Sequence, residues 1–267
     1  MTRSVRYVAI GDSFTEGVGD DLPSGAQRGW ADLLAQGWAD ARGEPIEYAN
    51  LAVRGRLLDP IIDEQLDTAL ALQPTHLSFN GGGNDMLRPR VDVERVAGRY
   101  AEVGARCAAR GVRLIVPTGA NPSKQLPLGA VFRRRGDRLC RAVERRLGGQ
   151  QNVLLAINWD DPTLAGARFW STDRLHLNAC GHHRVAARLL DRMGLPVPAG
   201  WWDWPAERAP SGRGSNQPAP ATRGWAYYRG YVGPWIGRRL TGRSSGDGRV
   251  AKQPDWAEVA PTPRAGD

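Results

Sequence analysis

The stretch Val5-Arg6-Tyr7-Val8-Ala9-Ile10-Gly11-Asp12-Ser13-Phe14-Thr15-Glu16-Gly17 decides how the chain is read. Its first six residues are rich in β-branched and apolar side chains and read as a strand. The strand runs straight into a glycine, an acid and a serine, which sets the Ser13 hydroxyl just past a strand end. A serine there is, taken alone, more often a helix cap or a turn residue than a reactive group. Its meaning depends on what else the fold brings to the same edge.

Outward from this stretch, short apolar runs alternate with segments of helical period. The strands expected are 5–10, 46–50, 75–80, 112–117 and 152–157, and the helices are 29–42, 57–72, 93–110, 130–147 and 178–193. In the last helix Val185, Ala186, Leu189, Leu190 and Met193 form a buried stripe. Strand and helix in alternation imply right-handed crossovers and a parallel sheet covered on both faces. The expected fold is therefore α/β, a three-layer α/β/α sandwich with a central parallel sheet of about five strands. In such sheets, sites form where loops leave the carboxyl ends of the strands.

Composition changes late in the chain. Residues 205–267 hold ten Gly and eight Pro, so the sequence divides into a domain over 1–200 and a Trp/Arg/Gly/Pro-rich extension over 201–267. Residues 224–240, with Trp225, Tyr227, Tyr228, Tyr231 and Trp235, are aromatic enough to pack back on the domain. Residues 211–221 and the final residues are expected to be mobile.

Charge and cysteine arithmetic narrow the classes. The formal charge is +8, and residues 205–267 account for +5 of it, with 10 Arg/Lys against 5 Asp/Glu. The body of the chain is thus near neutral, and no nucleic-acid partner is expected of it. Hydrophobic residues at 41% and charged residues at 24% allow a sizeable core and exclude wholesale disorder. No run of about 18 apolar residues exists, so no membrane-spanning helix is expected. Cys107, Cys140 and Cys180 are odd in number and lack a Cys-x-x-Cys pair, which argues against a disulfide framework and a zinc site. With the first strand starting almost at Met1, no secretory leader fits ahead of it, and the expectation is a reduced, cytoplasmic protein.

Three further polar signals sit at strand ends or after the last strand. Asn50-Leu51-Ala52-Val53-Arg54-Gly55 follows the second strand, where the glycine lets a backbone N–H approach a ligand or simply makes a turn. Gly81-Gly82-Gly83-Asn84-Asp85 follows the third, where Asn84 can aim an amide donor into a cleft. A phosphate cradle competes for those glycines, but neither Gly-Lys-Ser/Thr nor the dinucleotide-binding spacing is present. The last signal is Asp173-Arg174-Leu175-His176: histidine is the usual general base near neutral pH, and an acid three residues earlier can fix its tautomer.

Together these blocks resemble the four motifs of the SGNH (GDSL-type) hydrolases: Gly11-Asp12-Ser13, Gly55, Gly82-x-Asn84-Asp85 and Asp173-x-x-His176. The resemblance runs in the family's order from residue 5 to about residue 193. It implies the family's flavodoxin-like fold and a cofactor-free carboxylic ester hydrolase of the esterase or lipase kind. It further implies Ser13 as nucleophile, His176 as base and Asp173 as orienting acid, with an oxyanion hole from Ser13 N–H, Gly55 N–H and Asn84. Asp12, Gly82 and Asp85 support those motifs. Thr15 stands where many members carry serine, and the extension lies outside the shared blocks.

Other features carry less. His182 and His183 read as polar residues at a helix start, without further ligands for a metal, and His76 as a packed strand residue. Seven arginines in 133–146 read as the solvated face of a helix whose other side holds Leu139, Val143 and Leu147. Trp201, Trp202 and Trp204 read as packing residues. Loops 17–29 and 118–129 are expected to line the acyl or alcohol pocket. Two rival readings are a non-catalytic module that binds nucleic acid or anionic lipid through the basic tail, and a flavodoxin-like phosphate binder using Gly81–Gly83.

Overall fold

The computed structural model of the chain describes residues 4–126, 129–204 and 246–263. The five expected strands form as β1 (Arg6–Ile10), β2 (Ile46–Asn50), β3 (His76–Phe79), β4 (Arg113–Pro117) and β5 (Val153–Ala156). Alternation along β1 explains the two-sided core. Val8 and Ile10 enter one apolar cluster, while Tyr7 and Ala9 enter the other. All five pair in parallel, in the order β5-β4-β3-β1-β2.

The first face is covered by a helical run and two long helices. The run comprises α3 (Leu58–Pro60), a π-helical turn (Ile61–Gln65) and α4 (Leu66–Ala71), and the long helices are α6 (Val93–Ala108) and α7 (Gly129–Leu147). The second face is covered by α2 (Trp30–Arg42) and α8 (Ala179–Arg192). Two single-turn helices, α1 (Ser13–Glu16) and α5 (Gly83–Met86), start where β1 and β3 end. Because α2 follows β1 on one face and α6 follows β3 on the other, a crevice opens between these neighbouring strands at their carboxyl ends.

The sheet departs from the all-parallel expectation by one strand. β6 (Gln253–Val259) pairs antiparallel with β2, in the register Ile46↔Val259, Glu47↔Glu258, Tyr48↔Ala257 and Asn50↔Gln253. Among the described residues the sheet therefore has six strands and is mixed. The sequence Gln-Pro-Asp-Trp-Ala-Glu-Val carries a proline and two acids, a poor strand signal. Its pairing comes from the open edge of β2, and Trp256 takes Arg6 over its ring at 4.8 Å. Residues 253–259 thus pair within the sheet, and the chain's final residues, 264–267, lie outside the described residues. The aromatic stretch 224–240 and the low-complexity stretch 211–221 lie outside the described residues.

At the opposite rim, β5 is flanked by α8 arginines. Arg188 donates to the Ile157 carbonyl at 2.9 Å and Arg192 to the Leu155 carbonyl at 3.2 Å. The arginine-rich face of α7 is exposed at Arg133, Arg134, Arg138, Arg141 and Arg145, as its periodicity suggests. Trp201 is buried against α2 and α8, and Trp204 stacks on His183 with ring centres 3.8 Å apart. Trp202 lies at the surface.

Candidate active site

Asp12, two residues past the end of β1, caps α1: its Oδ1 accepts the Phe14 N–H at 3.1 Å. This starts a helical turn at Ser13 and turns its hydroxyl toward the crevice. A residue 163 positions later meets it there, with His176 Nε2 3.0 Å from Ser13 Oγ. Residues 170–177 form a tight loop. It is closed by an antiparallel bridge between Trp170 and Leu177 and by the Ser171 N–H donating to the His176 carbonyl at 2.9 Å. The loop turns at Arg174, whose φ of 60° is left-handed and uncommon for a residue other than glycine.

That turn brings Asp173 beneath the ring of His176. His176 Nδ1 donates to Asp173 Oδ2 at 2.5 Å. Asp173 Oδ1 accepts from Ser171 Oγ (2.6 Å), Leu175 N–H (2.9 Å) and His176 N–H (3.0 Å). Burial alone raises the Asp173 pKa, yet the imidazole and these donors together hold it well below the usual carboxylate range. Burial likewise pulls the His176 pKa down, but the charge and hydrogen bond of Asp173 prevail and leave it raised. The Nδ1 bond to Asp173 fixes the tautomer that leaves Nε2 as the acceptor facing Ser13.

The remaining sequence-predicted residues converge on the same edge. Asn84, in α5, donates from Nδ2 to Asp12 Oδ2 at 3.3 Å and to the Arg56 carbonyl at 3.0 Å, so its amide stands beside the Ser13 turn. Gly82 precedes α5 with φ of 87°, and Gly55 has φ of 76°, conformations that favour glycine. Asp85 accepts the Leu58 N–H at 3.0 Å, tying the glycine loop to the start of α3. Asp12 is buried, and its pKa is pushed up to about 6 by that burial against the opposing pull of the Phe14 N–H and His176.

Several residues that hold this edge gave no sequence signal. Gln65, on the π turn, bonds the peptide of Gly11 just ahead of the serine turn. The Glu16 carboxylate accepts the Arg54 N–H at 2.5 Å and the Arg54 Nε at 2.9 Å, fixing the residue before Gly55. Lys252, from the extension, donates to the Glu16 carbonyl. None of these pairs follows a local spacing, so only the fold reveals them.

A cavity of about 120 Å³ opens from Ser13 and Asn84 toward Phe132, Leu139, Cys140 and Trp159. Thr118, Gly119, Ala120 and Pro122 line it, as expected for the loop after β4. The 17–29 loop does not line it. That loop is pinned elsewhere, with Asp20 paired to Arg28 at 2.9 Å and Gly17 pressed against Gly29. Of the glycines at 81–83, Gly81 is already engaged by a side chain: its N–H donates to Tyr100 Oη at 3.1 Å and its carbonyl accepts from the same hydroxyl at 2.7 Å. His182 and His183 are buried and bonded to backbone, at 3.1 Å to the Trp30 N–H and 2.7 Å to the Ala179 carbonyl. Among the described residues, no group of three or more His, Cys, Asp or Glu could hold a metal ion, and no helix is long and apolar enough to cross a membrane.

A sandwich with a hydrogen-bonded Ser–His–Asp chain at its strand ends is a layout suited to hydrolytic enzymes. The chain belongs to the GDSL-like Lipase/Acylhydrolase family, whose model matches residues 9–184. Among solved structures it is similar to LAE5, an alpha/beta hydrolase enzyme from the metagenome of Lake Arreo, Spain. That likeness is at 22% identity and a TM-score of 0.56, covering 72% of this chain and 97% of that one. It is also similar to Axe2, an acetylxylan esterase from Geobacillus stearothermophilus, at 16% identity and a TM-score of 0.58, covering 74% and 100%. No curated protein matches the sequence significantly.

Proposed function

We propose that the protein is a serine hydrolase that cleaves carboxylic esters through an acyl-enzyme, with Ser13, His176 and Asp173 as its triad. The observation that carries the reading is the unbroken hydrogen-bond chain from Ser13 Oγ through His176 to Asp173, at 3.0 and 2.5 Å. Supporting it, catalytic mutants of Axe2 carry alanine in place of a serine, an aspartate or a histidine.

In this mechanism His176 Nε2 takes the Ser13 proton as Oγ attacks the ester carbonyl, and Asp173 stabilises the imidazolium that forms. The carbonyl oxygen becomes an oxyanion that Ser13 N–H, Gly55 N–H and Asn84 Nδ2 stabilise. Asn84 releases its longer bond, the 3.3 Å contact to Asp12, to do so. Collapse expels the alcohol, which takes the proton from His176. Water then attacks the acyl-enzyme by the same proton route and releases the acid.

The apolar cavity beside Ser13 suits the acyl side of the substrate. Its volume of about 120 Å³ is close to the ~150 Å³ that accommodates benzene in an engineered apolar cavity. That is room for an acyl tail of about four to six carbons. Labelling with a fluorophosphonate and mapping the adduct tests the assignment. The expected result is a single adduct on Ser13 and no ester turnover by Ser13→Ala. An adduct elsewhere, or turnover that survives the substitution, overturns it.

A further inference from the structure

A helix as short as α1 leaves its last carbonyls without intrahelical partners. Two side chains from the sheet's rim supply donors. Asn50, at the end of β2, donates to the Thr15 carbonyl at 3.1 Å. Lys252, just before β6, donates to the Glu16 carbonyl at 2.7 Å. The same ammonium donates to the Gln27 carbonyl at 3.0 Å and to Asp32 Oδ2 at 2.7 Å. All three of its protons are committed, to the end of α1, to the 17–29 loop and to the first turn of α2.

Glu16 passes this restraint onward. Its carboxylate accepts the Arg54 N–H and guanidinium, and Gln27 also bonds that guanidinium, so the turn ahead of Gly55 is held from the helix that starts at Ser13. The segment that carries Lys252 touches the turn directly as well. Gly246 lies so close to the Arg54 carbonyl that any side chain there would strike it. Lys252 and Gly246 both lie beyond residue 184, where the matched family region ends.

We propose that Lys252 is a positioning residue of the active site, setting the end of the Ser13 helix and, through Glu16 and Arg54, the Gly55 turn. The proposal rests on the ester-hydrolase reading above. The chain's C-terminal segment thereby becomes part of the catalytic scaffold, although it supplies no group that touches substrate.

The test uses the full chain and p-nitrophenyl butyrate. Lys252→Met keeps the aliphatic stem and removes all three bonds. Its kcat is expected to fall roughly 10- to 100-fold with KM within about threefold of wild type, since a misplaced site loses transition-state contacts more than substrate binding. Glu16→Gln, which leaves the Lys252 bond to the Glu16 carbonyl intact, is expected to lower kcat in the same way. The double variant should be little worse than the poorer single one, because both act on one linkage. If Lys252→Met melts below the assay temperature, Lys252→Arg, which keeps the cation but cannot place one nitrogen against all three acceptors, decides by the same kcat criterion. A folded Lys252→Met with kcat within about twofold of wild type, a Glu16→Gln with unchanged kcat, or losses that simply multiply each overturn the proposal. Ser13→Ala, run alongside, separates the two levels. If it is inactive while Lys252→Met turns over normally, only the positioning role fails. If it is active, the functional reading fails and the positioning role with it.

Discussion

Gln65 holds both polar groups of Gly11: the Gly11 N–H donates to Gln65 Oε1 at 2.8 Å, and Gln65 Nε2 donates to the Gly11 carbonyl at 3.1 Å. Gly11 lies two residues before Ser13, and the amide reaches it from the π turn Ile61–Gln65. A π turn inserts a residue into the helical register, and here it presents Gln65 to the strand end while Ile61, Ile62 and Leu66 stay in the core. The Gly11 carbonyl also accepts the Val53 N–H at 3.2 Å, so losing Gln65 strands the amide more than the carbonyl. Gln65→Met is expected to lower stability by about 1–3 kcal/mol, the cost of a buried unpaired donor. Urea unfolding of the two proteins measures it, and an unchanged midpoint would contradict the assignment.

The Asp173–His176 pair makes activity and stability respond oppositely to pH. The His176 pKa is raised, so its contribution is complete below the ordinary value of 6.5 and is lost as pH rises through the folded-state value. The Asp173 pKa is depressed, so its contribution is present above the ordinary 3.8 and is lost as pH falls through the folded-state value. The pair therefore stabilises most between those two ordinary values. The proposed mechanism needs neutral His176, so kcat/KM should rise through a pKa above 6.5. Asp173→Asn is expected to lower kcat by roughly 10⁴-fold. Its melting temperature should fall furthest short of wild type inside the stabilising window and approach it at higher pH.

The other three histidines should remain neutral well below the pH at which His176 titrates. Burial drives His182 down to about 3 and His183 and His76 to about 4. For His182 the geometry agrees, because Nδ1 accepts the Trp30 N–H and must be unprotonated. Nitrogen-detected NMR of the imidazoles over pH 4.5–9 should show one titrating ring, absent in His176→Gln. A second ring titrating near 6.5 would refute this placement.

On the proposed reading, the cavity beside Ser13 sets an acyl-length limit. Turnover of p-nitrophenyl esters is expected to peak at about four to six carbons and to fall for longer chains, in keeping with a cavity of about benzene size. Leu139 lines the far part of that space, so Leu139→Ala should move the peak to longer acyl groups. It should also cost about 2–5 kcal/mol of stability, as buried Leu→Ala changes do. A profile that does not move would place the acyl group elsewhere.

Much of this molecule was legible in its sequence, for identifiable reasons. The five parallel strands announce themselves because strands covered on both faces are rich in apolar side chains, and β2 forms over the 46–50 that the sequence indicates. Ser13 and His176 could be paired only because four motifs recur in a known order; taken alone, a serine past a strand is more often a cap or turn residue, and Asp-x-x-His is too short a pattern to stand by itself. The single-turn helices α1 and α5 escaped because four residues are too few to show a period. β6 escaped for another reason. Its proline and acids weigh against a strand, and only the neighbouring edge of β2 makes one. Glu16, Gln65 and Lys252 gave no sign at all. Their partners lie 38, 54 and up to 236 positions away, joined by tertiary geometry that no spacing encodes.

The two outermost strands have a bearing on how copies of this chain tolerate one another. An unguarded rim of backbone donors and acceptors invites a neighbour to add a strand and start a fibril. On one flank Arg188 and Arg192 occupy carbonyls at and just beyond the outer strand. On the other the outermost strand carries Pro254, Asp255 and Glu258, a missing donor and two negative charges. The protein thus meets the hazard of self-templating with two unlike defences, one built from cations laid on the rim and one written into the rim strand itself.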